Sequence, residues 1–140
     1  MNAVTSVAIT VRYAETDQMG VVYHANYLVW CDIARTEYLR GQGISYRQLE
    51  EDGLRLAVIE AQVRYRSAAT FDDALRIRCW VRDVGTRRVE FGYVIQQVVD
   101  DRVVATARTA LIALDSDYAR TTIPETVRSA LIPIVDPVRI

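Results

Sequence analysis

Tyr13-Ala14-Glu15-Thr16-Asp17-Gln18-Met19-Gly20-Val21-Val22-Tyr23-His24-Ala25-Asn26-Tyr27 is the stretch that decides how this chain is read. Just before it, Val7, Ile9, Val11 and Tyr13 fall on one face of a strand expected over Val7 to Tyr13. A turn through Asp17 and Gly20 follows. His24, the single histidine, then precedes a helix expected from about Asn26 to Arg40. Asn26 stands near the cap, and Gly41 and Gly43 end the helix. A carboxylate facing a helix start suits hydrolysis. The carboxylate attacks or deprotonates water, while free N–H groups at the helix terminus receive developing negative charge.

Working outward, the apolar residues of that helix are Tyr27, Leu28, Trp30, Cys31, Ile33, Ala34, Tyr38 and Leu39, more than one narrow stripe. This fits a helix embraced by a curved sheet. Ser45-Tyr46-Arg47-Gln48 has capping-box spacing and predicts a short helix to Glu51. The period then changes to two. Leu56 to Arg66 reads as a strand. Leu75, Ile77, Cys79 and Val81 alternate with Arg76, Arg78, Trp80 and Arg82 in the next, and Val89, Phe91, Tyr93 and Ile95 alternate in the third. The last strand spans about Arg102 to Leu114. Asp100-Asp101 marks a hairpin, Asp72-Asp73 and Gly85 mark other breaks, and Pro124-Glu125 opens a short helix to about Leu131. One strand, one long helix and four strands in meander-like succession predict α+β architecture: an antiparallel sheet wrapped around one long central helix.

The 140 residues make a single domain, 1–140, with enough chain for a proper core. A net charge of −1 gives no general pull toward nucleic acid or an anionic membrane, and no apolar run approaches a membrane span. The 17 basic residues are all arginine. Those of the strands, Arg64, Arg66, Arg76, Arg78 and Arg82, are expected on exposed faces, with no ligand required. Asn2 to Ser6 is polar, so no secretory signal is read there, and a cytoplasmic protein with reduced Cys31 and Cys79 in buried packing roles is expected. One histidine and two dispersed cysteines do not make a usual zinc site, and no metal or cofactor is expected. There is no nucleotide-binding loop, no G-x-S-x-G and no nucleic-acid motif.

The run Asp17, Gly20, Val21, Val22, Tyr23, His24, Asn26, Tyr27 resembles hotdog-fold acyl-CoA thioesterases of the 4-hydroxybenzoyl-CoA thioesterase family, including those associated with the Tol–Pal system. The resemblance persists in outline to Pro124. It implies a hotdog fold and hydrolysis of an acyl-CoA to free acid and CoA without metal. It also implies a homo-oligomer, dimer or dimer of dimers, with sheets paired edge to edge and active sites at the subunit interface. By resemblance Asp17 is nucleophile or general base, and the backbone N–H of His24 polarises the thioester carbonyl; a side-chain role for His24 stands as an alternative to lining the substrate channel. Gly20 permits a special backbone geometry or close ligand approach, Tyr23 lines the pocket, and Asn26 caps the helix. The Arg87-Arg88 pair would meet the CoA phosphates. Glu15 and Glu37 are secondary carboxylates, Glu37 pairing with Arg40 on the helix surface. A hydratase or dehydratase of acyl thioesters and a non-catalytic acyl-thioester binder are the alternatives on this fold.

Overall fold

The computed structural model describes residues 3–140; residues 1 and 2, which open the polar Asn2 to Ser6 stretch, lie outside it. Strands β1 (Val4–Thr10), β2 (Arg55–Tyr65), β3 (Ala74–Val84), β4 (Arg88–Gln97) and β5 (Val103–Leu114) form one sheet, and α1 (Asn26–Gly41), α2 (Tyr46–Glu51) and α3 (Glu125–Arg128) are the helices. All pairings are antiparallel.

The strands build as their alternation dictates. Leu75, Ile77, Cys79 and Val81 of β3 and Val89, Phe91, Tyr93 and Ile95 of β4 are completely buried on the concave face. Against them packs α1 with Trp30, Cys31, Ala34, Tyr38 and Leu39. Burial of each large side chain contributes roughly 1.5–3 kcal/mol. Both thiols lie in this core, and burial pushes that of Cys31 up to about 12 and that of Cys79 well above its ordinary range. They are packing groups.

Three expectations need correction. First, the sheet order is β1-β3-β4-β5-β2. β3, β4 and β5 meander, but β2 pairs with β5 at the far edge, Tyr65 opposite Ala105, instead of joining β3. Periodicity fixes which face a residue occupies, not which strand lies beside it. Second, β1 ends at Thr10, where its register with Ala74 stops. Arg12 turns the chain into a short 3-10 segment, Tyr13–Glu15, which the Glu15 carboxylate closes on the Arg12 N–H at 2.8 Å, and Tyr13 is thrown into solvent at 77% exposure. Third, the sheet covers one side of α1 only. The helix packs on β1, β3 and β4, and the apolar stripe Leu28, Val29 and Ile33 stays exposed.

Because β2 and β3 lie apart, residues 66–73 must cross from one side of the sheet to the other. That crossing runs past the start of α1 and is stitched to the loop before it. Val22 N–H donates to Ala69 O at 2.8 Å, Asp72 N–H to Val11 O at 2.9 Å and Val11 N–H to Asp73 O at 3.0 Å. The left-handed Asp72 (φ 70°) makes its bend. The topology thus clamps the Asp17 loop between α1 and the crossover.

The convex face is also covered. Trp80, which alternates with the concave-face residues of β3, is itself fully buried. Its ring lies over Gly92, where a Cβ would come within 2.6 Å of the indole. Residues 133–136 run across it: Ile134 N–H donates to Val81 O at 3.0 Å, and Asp136 accepts from Trp80 Nε1 at 2.8 Å and from Arg82 Nε at 3.0 Å.

Candidate active site

Asp17 opens a tight turn. Its N–H donates to Val21 O and its C=O accepts from Gly20 N–H, both at 2.9 Å, and Gly20 takes φ +78°. A Cβ on Gly20 would meet nothing within 4 Å, so this glycine serves backbone conformation rather than close approach. Met19 N–H donates to Asp17 Oδ1 at 2.9 Å. That bond fixes the carboxylate and leaves Oδ2 free for substrate or water, with no partner among the described residues.

Glu15 anchors this turn to the helix. Its buried carboxylate accepts from Trp30 Nε1 at 2.9 Å, and its carbonyl accepts from Asn26 Nδ2 and Tyr23 N–H, each at 2.8 Å. Burial raises the Glu15 pKa, but the bonds from Arg12 and Trp30 and the Arg12 charge outweigh it and hold the carboxyl below its ordinary value. Glu15 is therefore an anionic strut with both oxygens engaged. Asn26 is likewise a tie rather than a cap: α1 begins after Ala25 with no side-chain cap.

An uncapped helix start leaves N–H groups available. The His24 N–H donates to no acceptor among the described residues, whereas its carbonyl accepts from Tyr65 Oη at 2.9 Å. Burial pushes the Tyr65 phenol up, which keeps it protonated as the donor. No local pattern marks Tyr65, at the end of β2; only the pairing of β2 with β5 brings it 41 positions back to His24. The His24 ring sits edge-on to Tyr23 at 4.6 Å and to Tyr65 at 6.4 Å.

These residues surround a groove of about 380 Å3 at the N-terminal end of α1, lined by Asp17, Met19, Val22, His24, Tyr27 and Tyr65, with Arg66 and Ser67 at its margin. Asp17 and His24 are thus brought together. Tyr23 is half exposed and stands outside the lining, and the tyrosine wall is supplied by Tyr27 and Tyr65. Arg87 and Arg88 are exposed at the start of β4, which pairs with the far end of β5 (Arg88 opposite Ile112), so within one chain they are remote from the groove. Among the described residues no cluster could hold a metal ion, and no helix is long and apolar enough to cross a membrane.

The model of the thioesterase-like superfamily matches residues 11–131, from the end of β1 to beyond α3. The chain belongs to this superfamily. It is 34% identical over 118 residues to a 1,4-dihydroxy-2-naphthoyl-CoA hydrolase from Thermosynechococcus vestitus, covering 83% of this chain and 80% of that one. It is 41% identical over 80 residues to the acyl-CoA thioesterase YbgC of Haemophilus influenzae, covering 56% of this chain and 59% of that one. Among solved structures, TT1821 from Thermus thermophilus superposes with a TM-score of 0.86 at 31% identity, over 91% of this chain and 96% of the other. The match spans 59% of the length of YbgC and 62% of that of YneP from Bacillus subtilis. The fold is the hotdog fold: a curved antiparallel sheet with α1 in its concavity.

Proposed function

We propose that this chain hydrolyses acyl-CoA thioesters, and that the groove at the start of α1 is where it does so. The observation that carries this reading is the pairing, across one groove, of a carboxylate oriented through one oxygen with a free N–H at an uncapped helix terminus. The names of the YbgC and dihydroxynaphthoyl-CoA relatives support a CoA thioester as substrate.

In this reading the thioester carbonyl oxygen meets the His24 N–H, and the partial positive charge of the helix terminus adds to it. One preorganised donor of this kind is worth roughly 3 kcal/mol in the transition state. Asp17 Oδ2 either attacks the carbonyl carbon, giving a mixed anhydride that water opens, or takes a proton from the water that attacks. In both routes the C–S bond breaks and CoA leaves as thiol. The His24 imidazole, between two tyrosine rings, lines the channel, and Arg66 at the groove margin is the nearest cation for a CoA phosphate.

The working unit is a homodimer joined along β2. This edge strand carries exposed Val58 and Ile59 beside the exposed Leu28, Val29 and Ile33 of α1, an unpaired edge next to an apolar stripe. Two-fold pairing of β2 sets the Tyr65 end of one strand beside the Arg55 end of the other. The row Ala57, Ile112, Arg88 then continues from the neighbourhood of Val63 in the partner, so Arg88 reaches within about 14 Å of it, three strand spacings. That is how Arg87 and Arg88 serve a site they do not line in their own chain. Sedimentation at micromolar concentration should give a dimer that Val58→Lys dissociates; a monomeric wild type refutes this arrangement.

Thiol release from short, long and aromatic acyl-CoAs tests the activity. Turnover of enoyl-CoA to hydroxyacyl-CoA without thiol release would favour a hydratase, and saturable binding without turnover a binding module.

A further inference from the structure

On the convex face, away from the Asp17 groove, the geometry points to an oxyanion site that takes a phosphate group, formed by Arg64, Arg82, Arg108 and the Thr106 hydroxyl. The four come from neighbouring rows of one sheet. Arg64 of β2 is directly opposite Thr106 of β5, and Gln62 directly opposite Arg108. Together with Ile140 they line a concavity of about 270 Å3 whose lining includes three guanidinium groups and no acidic side chain.

Two observations separate this basin from an ordinary arginine-rich surface. The Thr106 side chain is 1% exposed, and its Oγ1 has no hydrogen-bond partner. Buried hydroxyls are rarely left so, because an unmade bond forfeits the group's hydration. The guanidiniums of Arg82 and Arg108 are moreover held from behind. Both donate to Glu90 Oε1, at 2.9 and 3.2 Å, while Asp136 grips Arg82 at 3.0 Å and Gln62 Oε1 accepts from Arg108 Nε at 2.6 Å. Glu60 also lies 3.4 Å from Arg108. Glu90, Asp136 and Glu60 hold Arg82 and Arg108 in ion pairs and fix their planes. Arg64 is the one arginine of this lining with no ion-pair partner among the described residues. Arg78, in the same row across Val94, lies beside the lining; it donates to Gln96 Oε1 at 3.0 Å, and its buried Nε lacks an acceptor.

A tetrahedral oxyanion suits this set. It accepts paired N–H bonds from planar guanidiniums and one O–H bond from the threonine. A neutral ligand would leave Arg64 without an ion-pair partner.

Calorimetric titration of the full chain in phosphate-free chloride buffer tests the site, with inorganic phosphate and glycerol 3-phosphate run side by side. One phosphate is expected to bind per chain. Arg64→Gln should weaken binding at least tenfold and Thr106→Val several-fold, Thr106→Ser should restore it, and acyl-CoA turnover should persist in all three. Tighter binding of the ester would assign the site to a phosphomonoester, and tighter inorganic phosphate to the free ion. Arg64 is exposed, so its variant folds and decides the matter even if Thr106→Val does not. No saturable binding, or binding unchanged in Arg64→Gln, overturns the inference. So does binding lost instead in Arg66→Gln, which would place the anion in the catalytic groove.

Discussion

Removing the Glu15 strut should loosen the Asp17 loop before it unfolds the protein. Glu15→Gln keeps the side-chain shape but has one acceptor oxygen where the carboxylate has two, both in use. One receives the Arg12 N–H at 2.8 Å and the other the Trp30 indole at 2.9 Å. The amide must turn its NH2 toward one of these donors, losing a charge-assisted bond and leaving a donor facing a donor. The expected loss is about 2–3 kcal/mol of unfolding free energy at neutral pH. A double-mutant cycle with Trp30→Phe isolates the indole bond and should return a coupling of about 1.5–3 kcal/mol. The pH dependence has a definite sign. The folded Glu15 pKa lies below its ordinary value, so its contribution is complete above the unfolded pKa near 4.3 and is lost as pH falls through the folded pKa. The Glu15→Gln protein should therefore converge on wild type in acid. Because the Glu15 backbone also receives Tyr23 and Asn26, the variant should hold the Asp17–His24 geometry less tightly and lose about tenfold in kcat/KM. Urea unfolding from pH 3 to 8, with initial rates at each pH, reads all of this. Equal stability of variant and wild type at pH 7, or a difference that grows in acid, would refute the strut.

Other consequences follow from single contacts. Tyr65→Phe removes the bond to the His24 carbonyl; kcat should fall about five- to tenfold with KM little changed, and stability should move by no more than about 1 kcal/mol, readable by steady-state kinetics and melting. Gly92→Ala drives a Cβ to 2.6 Å from the Trp80 ring and should cost about 1–3 kcal/mol in urea unfolding while leaving the Asp17 groove intact.

Much of this was legible in the sequence, for reasons specific to each element. The burial of Leu75, Ile77, Cys79 and Val81 follows from period two, and the bounds of α1 from the glycines after it and the turn before it. The hairpin at Asp100-Asp101 takes the left-handed φ of 58° at Asp101 that such a turn needs. Ser45 caps α2 by accepting from Gln48 N–H at 3.3 Å. Asp17 and His24 stood in one short run, so local spacing sufficed to bring them together. What depended on distant pairing was not legible. The transfer of β2 to the far edge brings Tyr65 to His24 and sends the crossover past Val22. The cover over Trp80 comes from residues 133–136, some fifty positions later. Arg35, a charged residue on the buried side of α1, is 6% exposed and donates to Tyr93 Oη at 3.1 Å and Tyr46 Oη at 3.3 Å, with Asp32 as its ion-pair partner. The hydroxyls that make its burial tolerable lie on other elements.

The most direct test of the account is acyl-CoA hydrolysis by wild-type and Asp17→Asn protein under one set of conditions, followed by thiol release. Asparagine keeps the acceptor for Met19 N–H and the turn, and removes only the anionic oxygen proposed to attack the thioester carbonyl or to deprotonate water. Wild type should turn over, and the variant should lose at least about a hundredfold in kcat with unchanged melting temperature. An Asp17→Asn protein that hydrolyses the same acyl-CoAs at the wild-type rate would contradict this.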